Sequence, residues 1–332
     1  MKIAIVKLSA LGDIIHAVSV LEFIKHYLPD SQIDWFVESS YAKILEYNPY
    51  IDNINKLQLK SIKKNFVNIF DEIKKTKNFA RENYDIVIDL QGLLKSAIVS
   101  KMLSKNVAGY DKKSIRESVA SLFYKFKFDI PYHYNTIDRY RLLVSKALNI
   151  DITKEDILNK KPSLFYDKSC CDVAFKHLSQ TKKNVVFIIG STWQSRIYPK
   201  EKLVEVANAL EANILIVYAN KSEREDGLYI QDRSKNVKLL PKIDLNELKF
   251  LISSADLLIG NDTGPSYIAW ANNIPSITLF GPTPPTRIYE TKINKLLKSS
   301  SSVDPYKLNK DDFSIKEIDP KEIITLAKHL LE

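Results

Sequence analysis

The chain has 332 residues, 45% hydrophobic and 27% charged, a globular composition that excludes extensive disorder and supplies apolar material for two cores. At ~100–200 residues per domain the length predicts two domains. The formal charge is +9, of which +6 falls in residues 1–155 and +3 in residues 156–332, so an anionic partner is expected chiefly for the first half.

No stretch approaches the ~20 apolar residues of a membrane span. Met1–Lys7 is too short an apolar run for a signal peptide and lacks a small-residue cleavage site, so a cytoplasmic protein is expected. Cys170 and Cys171 are the two cysteines. Being adjacent, they form neither an ordinary bridge nor a zinc site, which fits a reducing compartment. His16, His26, His133, His177 and His329 show no metal-ligand spacing. Basic stretches with interleaved aromatics, Lys56–Lys64 and Lys101–Lys127, come without any nucleic-acid-binding motif, so no nucleic-acid partner is expected.

In chain order, strands are predicted at Ile3–Val6, Ile33–Val37, Asp85–Asp89, Val185–Ile189, Ile214–Val217, Asp256–Ile259 and Ser276–Phe280. Most are continuous apolar runs, as parallel strands buried on both faces require. Between them helices are predicted at Ile14–Tyr27, Tyr41–Tyr47, Phe66–Arg81, Leu93–Leu103, Arg139–Leu148, Cys171–Leu178, Lys200–Leu210, Asn246–Ser253, Ser266–Ala271 and Lys321–Leu331. The alternation predicts right-handed βαβ units and parallel sheets. It runs twice, from Lys2 and again from near Val185. The polar, aperiodic Asp151–Asp167 reads as the connection, giving domains at 1–160 and 161–332 that face each other across a cleft, a usual place for a ligand. The last helix fits either domain, and Lys298–Ser314 reads as a surface loop.

Average glycine usage of ~7% would give about 23 in a chain of this length; there are 8. Gly12, Gly92, Gly190, Gly260 and Gly281 fall at or just beyond the C-terminal end of an apolar run, the edge where open α/β sheets bind ligands. Four segments there can carry chemistry. Lys7–Asp13 places Asp13 where a helix begins, either as an N-cap or as a general base. The strand before it is not followed by Gly-x-Gly-x-x-Gly, which disfavours a nicotinamide or flavin enzyme. Asp89–Ser96 presents Gln91 and Lys95 behind a strand, equally compatible with an ordinary loop. Gly190–Arg196 offers the hydroxyls of Ser191 and Thr192 with the guanidinium of Arg196, a phosphate-sized pocket without the signature of a P-loop. Gly260–Ser266 is polar and bracketed by glycines, and enters a short helix through Pro265, so amides there can meet an anion. Asp262 would repel phosphate and is better suited to sugar hydroxyls or to polarising the loop.

Together these segments resemble glycosyltransferase family 9, the ADP-heptose:lipopolysaccharide heptosyltransferases. The similarity runs over nearly the whole chain. It is most specific at Lys7–Ile14, Asp89–Ser96, Ser114–Ser118 with Ala120–Tyr124, and Asp262–Gly264 followed by Ile277–Thr283. Within the family, Gln91–Ser96 points to the type I enzymes over type II. The resemblance implies an α/β GT-B fold of two Rossmann-like parallel-sheet domains, a Gram-negative source, and an enzyme at the cytoplasmic face of the inner membrane. The implied donor is ADP-L-glycero-β-D-manno-heptose and the implied acceptor Kdo-lipid A, whose negative charge suits the basic first half. Asp13 is then the implied catalytic base of an inverting transfer. Acceptor contacts fall on Lys7, Gly12, Lys60, Lys63, Lys64, Gln91, Lys95 and Arg116. Lys63 and Lys64 fit a solvated loop equally well. Donor contacts fall on Ser191, Thr192, Arg196, Glu223, Ile243, Asp262, Thr263, Gly264 and Tyr267. Glu223 sits at a ribose-binding position and Ile243 at one that packs on adenine. Arg196 stands where the family usually has Lys, and Tyr267 where it usually has His. The Asp-x-Asp motif of metal-dependent glycosyltransferases is absent, so no metal or other cofactor is expected. The alternatives are a type II or other family 9 enzyme and, more remotely, a non-catalytic nucleotide-binding module.

Overall fold

The structure, a computed structural model, describes residues 1–59 and 68–332. Lys60, Lys63 and Lys64 lie outside the described residues. The chain divides into two compact units, Met1–Ser163 and Leu164–Glu332.

The first unit is built on a six-stranded sheet, β1 (Lys2–Val6), β2 (Gln32–Glu38), β3 (Asn53–Leu57), β4 (Ile86–Asp89), β5 (Val107–Tyr110) and β6 (Phe126–Phe128), in the order 3-2-1-4-5-6. Its ladders are parallel throughout, with Ile3 opposite Ile33 on one side and Ile86 on the other. The order reverses between β1 and β4, and the register Val6–Asp89 brings the ends of those strands side by side. That reversal opens the crevice where such sheets bind ligands. Ile3–Val6 are fully buried, consistent with helices on both sheet faces.

Helices in this unit are α1 (Leu11–Val18), α2 (Leu21–Tyr27), α3 (Asn68–Phe79), α4 (Leu94–Leu103), α5 (Thr136–Leu148) and α6 (Lys154–Leu158). The single helix expected over 14–27 is two. Ser19 Oγ donates to the His16 carbonyl at 2.6 Å, and such a local bond competes with the helical ladder. Residues 41–47 hold a 3₁₀ turn, Ser39–Ile44, in place of the expected helix. The stretch read as an aperiodic connection contains α6, started by Thr153, whose hydroxyl accepts from Asp156 N while the Asp156 carboxylate accepts from Thr153 N.

The second unit repeats the plan. Strands β7 (Asn184–Ile188), β8 (Asn213–Val217), β9 (Val237–Leu239), β10 (Leu257–Asn261), β11 (Ser276–Phe280) and β12 (Asn294–Lys298) run in the order 12-11-10-7-8-9, again all parallel. Here β7 and β10 flank the reversal, so β10 is the counterpart of β4. Its helices are α7 (Asp172–His177), α8 (Lys200–Asn208), α9 (Lys221–Gln231), α10 (Leu245–Ser253), α11 (Tyr267–Ala271) and α12 (Pro320–Leu331). The final helix contributes Ile323 and Ala327 to this unit's core, beside Val206, Ile214 and Ile259.

Candidate functional site

In the first unit the chemistry collects at the C-terminal edge of β1 and β4. Lys7 follows β1 and is buried, its Nζ reaching the Leu90 carbonyl at 3.4 Å and lying 4.9 Å from the Tyr140 ring centre. The N-cap of α1 is Ala10, which corrects the expectation that Asp13 starts the helix. Gly12 is therefore inside the first turn, and Asp13 is the third helical residue. Its carboxylate accepts from Ala10 N at 3.3 Å, longer than the ~2.7–2.9 Å of a strong charge-assisted bond.

Gln91 joins the two strand-end loops: its Oε1 accepts from Ser9 N at 3.0 Å. The loop that carries it is organised by Asp89, which is fully buried. One oxygen accepts from Gln91 N at 2.8 Å and Gly92 N at 3.1 Å. The other accepts from the hydroxyls of Ser96 and Tyr124, both at 2.8 Å. Burial pushes the Asp89 carboxyl above the ordinary carboxylate range, and these four donors oppose the shift. Gly92 has φ +66°, and a Cβ there would meet Ile115 at 2.9 Å, so glycine is required.

Two residues that the sequence reading missed are Tyr110, which stands in the field of Asp13, and Arg139 beside it. Tyr110 is buried, and its hydroxyl has no hydrogen-bond partner among the described residues. Burial drives its phenol well above the usual range; Arg139 opposes this, while Asp89 and Asp13 reinforce it. The Arg139 guanidinium lies between the rings of Tyr110 and Tyr132, at 4.6 and 4.8 Å, and donates to the Ser114 carbonyl at 2.5 Å. Lys95, in the first turn of α4, and Arg116 are both exposed.

In the second unit the loops after β7 and β10 meet. The register Gly260–Ile188 aligns them, and Asn261 fastens them, donating to the Ile189 carbonyl at 2.7 Å and accepting from Tyr198 N at 3.1 Å. Asp262 is buried. Its carboxylate accepts from the Tyr267 hydroxyl and from Thr283 Oγ1 at 2.5 Å, and Arg196 Nη1 lies 3.5 Å from Oδ2. Arg196 also donates to the Asp262 carbonyl at 3.3 Å. Asp262 therefore holds three side chains of its own unit, and the Tyr267 hydroxyl points at it from the interior. Thr263 is extended and leads into a 3₁₀ turn, Gly264–Ser266, so α11 starts one residue later than expected.

The Arg196 guanidinium lies 3.9 Å from the Trp193 ring centre, and Lys310 Nζ lies 5.1 Å from the same ring. Trp193 and Lys310 are further residues that the sequence reading did not assign. Two cations on one indole make an electropositive spot. Beside it, the hydroxyls of Ser191 and Ser195 have no hydrogen-bond partner among the described residues. Glu223 belongs to the N-terminal cap of α9, accepting from Ala219 N at 2.6 Å and Asn220 Nδ2 at 2.7 Å. It lies against Gly190, where a Cβ would fall 2.3 Å from the Glu223 carboxyl carbon. Ile243 is half-buried ahead of α10. Among the described residues no group of three His, Cys, Asp or Glu could hold a metal ion, and no helix is long and apolar enough to cross a membrane.

Comparison with known proteins bears on the family and the fold. The family model for glycosyltransferase family 9 (heptosyltransferase) matches residues 73–312. Lipopolysaccharide heptosyltransferase 1 of Campylobacter coli is 39% identical over 346 aligned positions, covering 99% of each chain. The protein of that name from Escherichia coli K12 is 28% identical, covering 86% of this chain and 89% of its own. Among solved structures, E. coli heptosyltransferase WaaC with ADP superposes with a TM-score of 0.82 at 24% identity, over 99% of this chain and 100% of that one. E. coli ADP-heptose lps heptosyltransferase II superposes at 0.79 and 17% identity, over 100% and 98%. The shared fold is the GT-B arrangement of two Rossmann-like sheets. With most of its length matched by the family model and a full-length relative at 39% identity, the chain belongs to glycosyltransferase family 9, the heptosyltransferases.

Proposed function

We propose that the enzyme transfers L-glycero-D-manno-heptose from ADP-heptose to Kdo of Kdo-lipid A, with inversion, as a type I heptosyltransferase. The observation that carries this reading is the 39% identity over the whole chain to a protein named lipopolysaccharide heptosyltransferase 1. Work on a lipid-linked acceptor places the enzyme at the cytoplasmic face of a Gram-negative inner membrane, in peripheral contact with it.

The residues receive roles on that basis. Asp13 removes the proton from the attacking Kdo hydroxyl. The hydroxyl oxygen bonds to the anomeric carbon as the bond from that carbon to the diphosphate breaks, and ADP leaves. A carboxylate is a weak base near neutral pH, yet it suffices where proton removal is late, as in an oxocarbenium-like transition state. Such a base contributes ~10²–10⁴-fold. Most of the remainder comes from positioning and from stabilising charge that develops on the diphosphate. That charge is assigned to Arg196, the hydroxyls of Ser191 and Thr192, and the amides of Thr263 and Gly264. Asp262 and Tyr267 act by fixing Arg196 and the loop. Asp262 remains the candidate for a heptose hydroxyl, Glu223 for the ribose and Ile243 for adenine. Lys7, Gly12, Gln91, Lys95 and Arg116 take the acceptor side.

The test is incubation with ADP-heptose and Kdo-lipid A, following ADP release and product mass. Transfer to Kdo-lipid A that survives excess EDTA is expected. Transfer only to an already heptosylated acceptor would make the enzyme type II. ADP binding without sugar transfer would reduce it to a nucleotide-binding module. Loss of activity to the chelator would overturn the metal-free mechanism.

A further inference from the structure

The crossovers β3 to β4, β4 to β5 and β5 to β6 all step in the same direction along the sheet order. Right-handed connections then put α3, α4 and the 3₁₀ turn Ser118–Phe123 on one face of the first sheet, and α4 packs against both of its neighbours. The Glu117 carboxylate accepts from Leu94 N at 2.7 Å, which ties the 3₁₀ turn to the first turn of α4.

The inner side of α4 is ordinary: Ala97, Val99 and Leu103 are buried. A surface helix normally turns polar residues outward. Here Leu94 and Ile98, one turn apart, are both exposed, and beside them Val119 is 55% and Leu122 is 74% exposed. The cations around them, Lys95, Lys101 and Arg116, are exposed as well. No acidic residue occurs in α4, and Glu117 is engaged by the helix amide. The layer thus presents apolar tips in a cationic setting.

We propose that this outer face of the first unit docks on an anionic lipid surface, lying in the headgroup region. Apolar side chains among Lys and Arg fit such an interface, where the tips enter the acyl boundary and the cations meet lipid charge. A second copy of the chain fits poorly, because a self-complementary contact would bring Lys95, Lys101 and Arg116 against their own like charges. The proposal deepens the functional reading by naming the face through which the enzyme meets its membrane. It rests on that reading for the biological source of the lipid.

The experiment uses the full chain with vesicles that contain no Kdo-lipid A. Sedimentation with phosphatidylglycerol–phosphatidylethanolamine vesicles is expected, weakening as salt rises, with little recovery on phosphatidylcholine. The double variant Val119→Ser, Leu122→Ser should lower partitioning at least tenfold, and Lys101→Gln about fivefold, as ~1 kcal/mol per surface cation implies. The melting temperature of each variant should stay at the wild-type value. Turnover on a water-soluble, deacylated Kdo acceptor should be unchanged in the double variant. Wild-type partitioning by the double variant would overturn the proposal, as would binding indifferent to lipid charge. A dimer that the double variant dissolves would also overturn it, because the face would then belong to a second copy. Failure of the wild type to turn over the soluble acceptor would instead count against the proposed reaction and leave the vesicle result standing.

Discussion

Asp89 and Asp262 occupy corresponding places in two sheets of the same strand order, one ending β4 and the other just beyond β10. Both are buried, and both accept from a tyrosine hydroxyl and from a Ser or Thr hydroxyl. They differ in charge compensation. Asp89 has four hydrogen-bond donors and no ion pair among the described residues, whereas Asp262 faces the Arg196 guanidinium. A buried carboxylate without a cation can only organise its loop. One paired with an arginine also holds a positive charge in place, and that charge can serve a ligand. The loops after the first strand of each unit divide the work in the same way. The first turn of α1, after β1, delivers a carboxylate, Asp13, and the segment after β7 delivers hydroxyls and Arg196. On the proposed reading, the same scaffold presents a base in one unit and an anion site in the other.

The largest expected effect breaks this division on the acidic side. Asp13→Asn should lower turnover at least a hundredfold, the lower end of the base contribution, while donor affinity measured by calorimetry stays near wild type. Near-normal turnover would return Asp13 to its contact with Ala10 N as its whole purpose. Next, Arg196→Met should weaken ADP binding by at least tenfold. It should also cost about 1.5–3 kcal/mol of stability, because Asp262 loses a charged partner in a buried setting. Unchanged ADP affinity with lost stability would make Arg196 a framework residue, and the contrast between the two carboxylates would then carry no functional meaning.

A smaller effect is expected at Gly190. A methyl group there collides with the Glu223 carboxyl group, the far end of a side chain that can swing aside. Gly190→Ala should therefore reduce donor affinity about tenfold by displacing Glu223, with a melting temperature within a few degrees of wild type. Steric displacement of this kind raises KM or Kd ahead of any loss in kcat. A large fall in stability with normal affinity would show that Glu223 serves the α9 cap alone.

Legibility along the chain followed burial. The strands flanking each reversal, such as β1 and β10, are buried on both sides, and their apolar stretches Ile3–Val6 and Leu257–Ile259 are unbroken in sequence. The edge strands β3, β6, β9 and β12 were missed because their sequences, Asn53–Leu57 and Val237–Leu239 among them, mix Lys or Asn with the apolar residues, as solvated sheet edges do. β5 was missed for another reason. Gly109 reads as a breaker, yet glycine is needed there because a Cβ would fall 2.4 Å from the Tyr124 ring, the same ring that brings its hydroxyl to Asp89. α9 carried a legible start in Asn220 and Glu223, three residues apart, but Gly227 and a run of charges hid the helix behind it. At the site, residue type was visible in sequence and partnership was not. Nothing local joins Asp262 to Thr283, Trp193 to Lys310, or Asp13 to Tyr110; only the fold brings each pair together.

The smallest expected effect tests the carboxylate contrast most directly, because it removes one oxygen atom from each unit. Tyr124→Phe leaves Asp89 with the Ser96 hydroxyl and two amides, and no cation to compensate. A buried, charge-assisted bond lost under those conditions costs about 1.5–3 kcal/mol. Tyr267→Phe leaves Asp262 with Thr283 and the Arg196 guanidinium, so the loss should be nearer ~1 kcal/mol, the worth of an ordinary bond. The two variants differ from wild type by the same single atom in comparable burial, so the difference between them isolates the effect of the guanidinium. Thermal unfolding should show the larger drop for Tyr124→Phe, and ADP affinity should move only for Tyr267→Phe, through the position of Arg196. Equal drops with equal affinities would mean that the guanidinium does not compensate Asp262, and that the two strand ends are alike in function as well as in topology.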